Sequence, residues 1–179
     1  MKPRIAFSIL ILAASVVSAD DFDTWSGLSP DKALFAIERR IPDPSAPSRL
    51  DLDGVAVFIC NAKSGPGSVV TSDLVIAQHQ FPLRLVSQIR WSPDSKFLMF
   101  TTASSGGHSP WHFKTFLFSA ADKSFRDVET AADGSVGAPE FRFEPPDIAV
   151  LRLHDPAGGR PKQIKLSLSK AVSQMQRLE

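Results

Sequence analysis

The residues best suited to chemistry stand in one short stretch, Ser104-Ser105-Gly106-Gly107-His108-Ser109-Pro110-Trp111-His112-Phe113. The glycine pair lets the chain reverse closely, and two imidazoles and an indole follow it. His108 and His112 offer two nitrogen ligands at the spacing that a helix uses to hold a metal. Pro110 between them removes the helical register, however, and no third ligand stands nearby. We therefore assign neither a metal nor a cofactor to the stretch. Gly107-His108-Ser109-Pro110-Trp111 begins like the nucleophile elbow of hydrolases, but Trp111 replaces its final glycine and no strand-turn-helix pattern surrounds it. No catalytic residue is assigned. Recognition is the functional reading: Trp111 stacks on a ligand while His108 and His112 exchange hydrogen bonds with it, the three forming one partly exposed cluster at one end of a sheet. The structural alternative packs Trp111 over the sheet and satisfies both imidazoles with backbone carbonyls.

Other reactive side chains are scattered. Asp51 and Asp53 precede Gly54, yet the later oxygen ligands and terminal Glu of a calcium loop are missing, so a turn into the following strand is expected. His79 and His154 stand alone. Cys60 ends the apolar run Val55-Ala56-Val57-Phe58-Ile59 and is expected to be a buried, inert thiol. The chain carries 20 Lys and Arg against 19 Asp and Glu, without a basic cluster. That balance lacks the electrostatic footprint of nucleic-acid binding, and this class of partner is set aside.

The elements that must position these residues read as strands. Short apolar or alternating runs lie between Gly, Pro, Asp and Ser clusters: Ala33–Ile37, Val55–Cys60, Val69-Val70 with Leu74–Ile76, Arg84–Trp91 and Phe97–Phe100. The series continues through Phe113–Phe118, Phe125–Val128, Phe141–Phe143, Ile148–Leu153 and Gln163–Leu168. Only Leu168 to Leu178 has a helical pattern. The Pro-rich stretch Ile41 to Pro47 is expected as a long stiff loop. Phe35, Phe58, Trp91, Phe97, Met99, Phe116 and Phe118 are the expected core. Thirteen Phe and no Tyr mean that most aromatic area can be buried without seeking a partner for a hydroxyl.

Residues 1–19 have the order of a secretory signal: Lys2 and Arg4, the apolar run Ile5 to Val17, then Val17-Ser18-Ala19. The run is short for a spanning helix, which needs about 20 apolar residues. Cleavage after Ala19 is expected, leaving one β-rich domain over 20–179 in the periplasm or outside the cell, without stable membrane insertion.

An internal repeat supports this organisation. Ser29-Pro30-Asp31-Lys32-Ala33-Leu34 and Ser92-Pro93-Asp94-Ser95-Lys96-Phe97 both place a turn ahead of a buried strand, and they match with one residue inserted after the aspartate. Phe143-Glu144-Pro145-Pro146-Asp147-Ile148 is a weaker third copy. Trp91-Ser92-Pro93-Asp94-Ser95-Lys96-Phe97-Leu98-Met99-Phe100 resembles the blade motif of TolB-type β-propellers, in which such a turn joins the first two strands of a four-stranded blade. The resemblance is best over Ile89 to Val128, with Thr115–Phe118 and the turn Ala121-Asp122-Lys123 in the places of the third strand and its hairpin. It implies an antiparallel meander of about three propeller-like four-stranded blades near 29–76, 89–128 and 141–168, too few for a closed ring. A two-sheet sandwich is the alternative. Exposed edges would be covered by the Pro-rich loop, the C-terminal segment or a second subunit.

Two functions are consistent with these readings. The first is a non-enzymatic, extracytoplasmic binding or scaffold protein that recognises a protein or glycan at the cell envelope through His108, Trp111 and His112. The second is a small hydrolase or metal-dependent enzyme that uses the same loop.

Overall fold

The computed structural model describes residues 23–42, 52–62, 74–104 and 112–179. Of these, 58% lie in strands and 10% in helices, so the all-β expectation holds. The first sheet is a meander of β1 (Asp23–Leu28), β2 (Leu34–Pro42), β3 (Leu52–Asn61) and β4 (Val75–Pro82), each antiparallel to the next. The second begins with β5 (Arg84–Trp91), β6 (Phe97–Ser104), β7 (Phe113–Ser119) and β8 (Ser124–Asp127) in the same order. After the short helix α1 (Glu129–Ala132), the third sheet has three strands: β9 (Arg142–Glu144), β10 (Ile148–Leu153) and β11 (Lys162–Ser167). The chain then forms α2 (Leu168–Ala171), a 3-10 turn Val172–Gln174 and β12 (Gln176–Arg177), which adds a fifth strand to the second sheet beside β8. Among the described residues no sheet closes into a barrel.

The helical reading of Leu168 to Leu178 is thus corrected to one helical turn, a 3-10 turn and a strand. Leu168, Ala171 and Met175 still bury one face, but the backbone becomes extended at Met175 and Gln176 pairs with Asp127. The C-terminal segment thereby covers an edge of the second sheet. Ile41 and Pro42 of the Pro-rich stretch close β2, and 43–47 lie outside the described residues, as do residues 1–22 and Val69-Val70. Asp53 sits within β3 rather than in a preceding turn, because pairing already reaches Leu52 opposite Pro42; Asp51 is outside the described residues.

The two Ser-Pro-Asp turns have the same construction. Ser29 Oγ donates to Asp31 Oδ1 at 2.6 Å and accepts the Leu34 N–H at 3.0 Å; Ser92 Oγ donates to Asp94 Oδ1 at 2.7 Å and accepts the Phe97 N–H at 3.0 Å. Each aspartate also accepts the N–H two residues on. The insertion expected after Asp31 is not needed: Lys32 (φ 59°) stands where Ser95 (φ 62°) stands, both left-handed. The turns touch, the Asp31 N–H donating to Ser95 Oγ at 2.9 Å. The third copy is built differently. Pro145 offers no hydroxyl, Glu144 pairs directly with Ile148, and the Asp147 carboxylate instead accepts the Ser169 N–H at 2.7 Å at the start of α2.

The three sheets stack with the second in the middle. Ala36, Val55, Val57, Ile59 and Phe81 of the first sheet meet Val86, Ile89, Trp91, Phe100, Phe118 and Phe125 of the second. Phe81 lies at its centre, with ring centroids 4.6 Å from Phe116 and 5.2 Å from Phe100. The opposite face of the second sheet, with Phe97, Met99 and Leu117, packs on Phe141, Ala149 and Leu151 of the third sheet region and on Leu168. A strand covered on both sides is apolar throughout rather than alternating, and Phe97 to Ala103 of β6 are all buried. Of the expected core residues only Phe58 is half-buried. Cys60 is buried, and burial pushes its thiol up to about 11, as an inert cysteine requires. The outer face of the third sheet is ionic instead: Glu144 joins Arg142 at 3.0 Å and Lys165 at 2.7 Å.

Two local contacts join the layers. Leu83, at φ 54°, is the single residue between β4 and β5, turning the chain from the first sheet into the second. Gly54 (φ 153°) faces that corner, where a Cβ would stand 2.4 Å from the Phe81 carbonyl oxygen. On the other side the Gln88 side chain behaves like a strand backbone. Its amide donates to the Phe141 carbonyl at 2.9 Å and accepts the Phe141 N–H at 3.0 Å, joining β5 to the residue before β9.

Candidate ligand-binding site

His112 is the one residue of the expected recognition cluster among the described residues; His108 and Trp111 lie outside them, with Ser109. His112 is exposed, and its carbonyl accepts the Ser104 N–H at 3.2 Å, the last rung between the arms of the β6–β7 hairpin. The stretch singled out in the sequence therefore leaves and rejoins the central sheet at one fixed point.

That point borders a cavity of about 660 Å³, within the roughly 300–1,000 Å³ usual for small-ligand sites. Arg84, the first residue of β5, forms part of its wall. It is half-buried, and its Nη1 donates to Thr102 Oγ1 and to the His112 carbonyl, both at 3.4 Å. Burial lowers its pKa, and the carboxylates of Glu129 and Asp127 oppose that shift. Arg84 nevertheless makes no ion pair among the described residues, whereas Lys114 lies 4.0 Å from Asp127 Oδ2. Glu129 opens α1, and its Oε1 accepts the Val136 N–H at 3.0 Å. Burial raises its pKa, the Val136 bond acting in the opposite direction.

The last wall comes from residues 135–137, which run beside the end of β10: Val136 bridges to Leu153, the Gly137 N–H donates to the Arg152 carbonyl at 2.9 Å, and the His154 N–H donates to the Ser135 carbonyl at 2.7 Å. Gly137 permits this approach, since a Cβ there would lie 2.9 Å from the His154 nitrogen. His154 is thereby brought to the same cavity as His112. Ser135 and His154 also border a second cavity of about 640 Å³, whose charged residues are Asp133, Asp155, Arg160 and Lys162.

Arg84, Lys114, Glu129 and His154 did not stand out in the sequence, because they come from four separate elements and share no spacing. His79, the other lone histidine, is half-buried on β4 with its ring 4.7 Å from that of Phe81, and burial lowers its pKa. Among the described residues no three of His, Cys, Asp and Glu are grouped to hold a metal ion, and no helix is long and apolar enough to cross a membrane. Comparison with protein-family models, curated proteins and solved structures gave no match to this chain.

Proposed function

We propose that this is a non-enzymatic binding or scaffold protein, exported to the periplasm or beyond, that recognises a protein or glycan at the cell envelope. The observation that carries the reading is the place of the cavity, at the mouth of the β6–β7 hairpin, where the His112 end of the His108–Trp111–His112 stretch meets Arg84 and Lys114. Binding residues concentrate on loops that a rigid scaffold holds, and here the hairpin belongs to a sheet buried on both faces. The matched Ser-Pro-Asp turns and the two successive four-stranded meanders support the likeness to TolB-type blades. The charged-apolar-small order of residues 1–19 supports export.

The test uses immobilised full-length protein and two probes, purified envelope polysaccharide and detergent-solubilised envelope protein. Saturable capture of one of them, lost in Trp111→Ala and His112→Ala variants that keep the wild-type melting temperature, is expected. Capture unaffected by both substitutions would remove the loop from the reading. Stoichiometric zinc in purified protein would turn it toward the metal-dependent enzyme.

A further inference from the structure

We propose that the cavity beside His112 is a site for an acidic sugar, one hexuronate-sized residue whose carboxylate pairs with Arg84; the inference rests on the binding-protein reading above and specifies its ligand. Three observations converge. First, Arg84 is a half-buried guanidinium on the cavity wall with two long hydrogen bonds from Nη1 and no ion pair among the described residues. A guanidinium cannot shed its charge and presents five donors in a planar fork that matches a carboxylate. Its remaining donors can take a carboxylate, with Glu129 and Asp127 acting on it only through space, and Lys114, 4.0 Å from Asp127 Oδ2, brings a second positive charge to the same cavity. Second, Glu129 lines the cavity with one oxygen committed to the Val136 N–H. Its other oxygen is an acceptor suited to a hydroxyl donor. Third, Phe113 and Val136 give the cavity an apolar side against which the C–H face of a pyranose can lie. An anion acceptor, a hydroxyl acceptor and an apolar wall in a cavity of about 660 Å³ together describe a carboxylated sugar better than a bare anion or a neutral one.

The experiment is isothermal titration calorimetry of the full-length protein with D-glucuronate, D-glucose and inorganic phosphate. Saturable one-to-one binding of glucuronate is expected, at least tenfold tighter than glucose and tighter than phosphate. Arg84→Gln should weaken it at least tenfold, and Arg84→Lys should recover part of the loss. Should Arg84→Gln fail to fold, the wild-type ratios and Arg84→Lys decide alone. Glucuronate binding no tighter than glucose overturns the proposal, and phosphate binding as tightly as glucuronate reduces the site to a simple anion site and overturns its sugar specificity. Loop-dependent capture of envelope material by a protein that does not bind glucuronate would overturn this inference while leaving the broader reading in place.

Discussion

The side chain of Gln88 joins two sheets through both edges of one amide, and replacing it isolates that junction. In Gln88→Ala the Phe141 N–H and C=O lose partners at 3.0 and 2.9 Å. A buried polar group left without a partner costs about 1–3 kcal/mol. Gln88 is half-buried, so water can reach part of the vacated space, and a total of about 2–4 kcal/mol is expected. At about 2–4 °C per kcal/mol for a chain of this size, the melting temperature should fall by roughly 5–15 °C. Gln88→Glu is the sharper probe. Its carboxylate can still accept the Phe141 N–H but sets a second oxygen against the Phe141 carbonyl, and only the protonated acid restores a donor there. The introduced carboxyl should therefore have a folded pKa above its unfolded value of about 4.3. Its contribution is then complete below that pH and is lost as pH rises through the folded pKa. Urea melts from pH 3.5 to 7 should show Gln88→Glu approaching wild type at the acid end and falling away toward neutrality. A loss under about 0.5 kcal/mol in Gln88→Ala, the level of an ordinary surface change, would refute the junction, as would a Gln88→Glu deficit independent of pH.

Three further outcomes follow from the packing. Gly54→Ala should lose about 3 kcal/mol or more in urea denaturation, since the new methyl meets backbone at the Leu83 corner and the residue must keep a positive φ. Phe116→Ala should lose about 3–5 kcal/mol by the same measurement, its ring packing against those of both Phe81 and Phe100. Burial alone would raise the Asp122 carboxyl, but hydrogen bonds from Ser124 and Ser119 and the Arg126 guanidinium hold it at about 2. Its folded pKa lies below its unfolded value, so its contribution is present above about pH 4 and fades as pH falls toward 2. The difference in melting temperature between wild type and Asp122→Asn should shrink over that interval.

The strands were legible because apolar runs and turn residues record local geometry: β5 spans Arg84–Trp91 and β10 spans Ile148–Leu153, as their patterns predict. β1 escaped because Asp23-Thr24-Trp25-Ser26-Gly27-Leu28 has no sustained apolar alternation, and its order comes from pairing with β2. The Ser-Pro-Asp turns were readable, though their alignment was not, since only the backbone reveals that Lys32 shares the left-handed position of Ser95. The cavity was invisible for a physical reason. Arg84, Lys114, Glu129 and His154 are brought together by β5, β7, α1 and the end of β10, contacts of long range in the chain that leave no periodicity. Gln88 was missed likewise, because a glutamine in a strand reads as solvent-facing until another segment's backbone is placed opposite it.

The burial of β6 on both faces changes what keeps its neighbours in step. In a sheet with one wet side, slipping by a single residue throws the apolar set into water, and that penalty guards the alignment. Phe97-Leu98-Met99-Phe100 offers no such protection, since odd and even positions alike enter an oily interior. Alignment must be policed by polar markers instead. Thr101 Oγ1 and Thr115 Oγ1 share a buried hydrogen bond of 3.0 Å across β6 and β7, and Ser92 pins the amide of Phe97 where the strand begins. A slipped β6 would part the threonines and leave the serine without its amide, so three small hydroxyl side chains carry the accuracy that hydrophobicity supplies elsewhere. Insertions in this strand should accordingly yield misaligned, still compact chains that bind hydrophobic dyes, rather than fully unfolded ones.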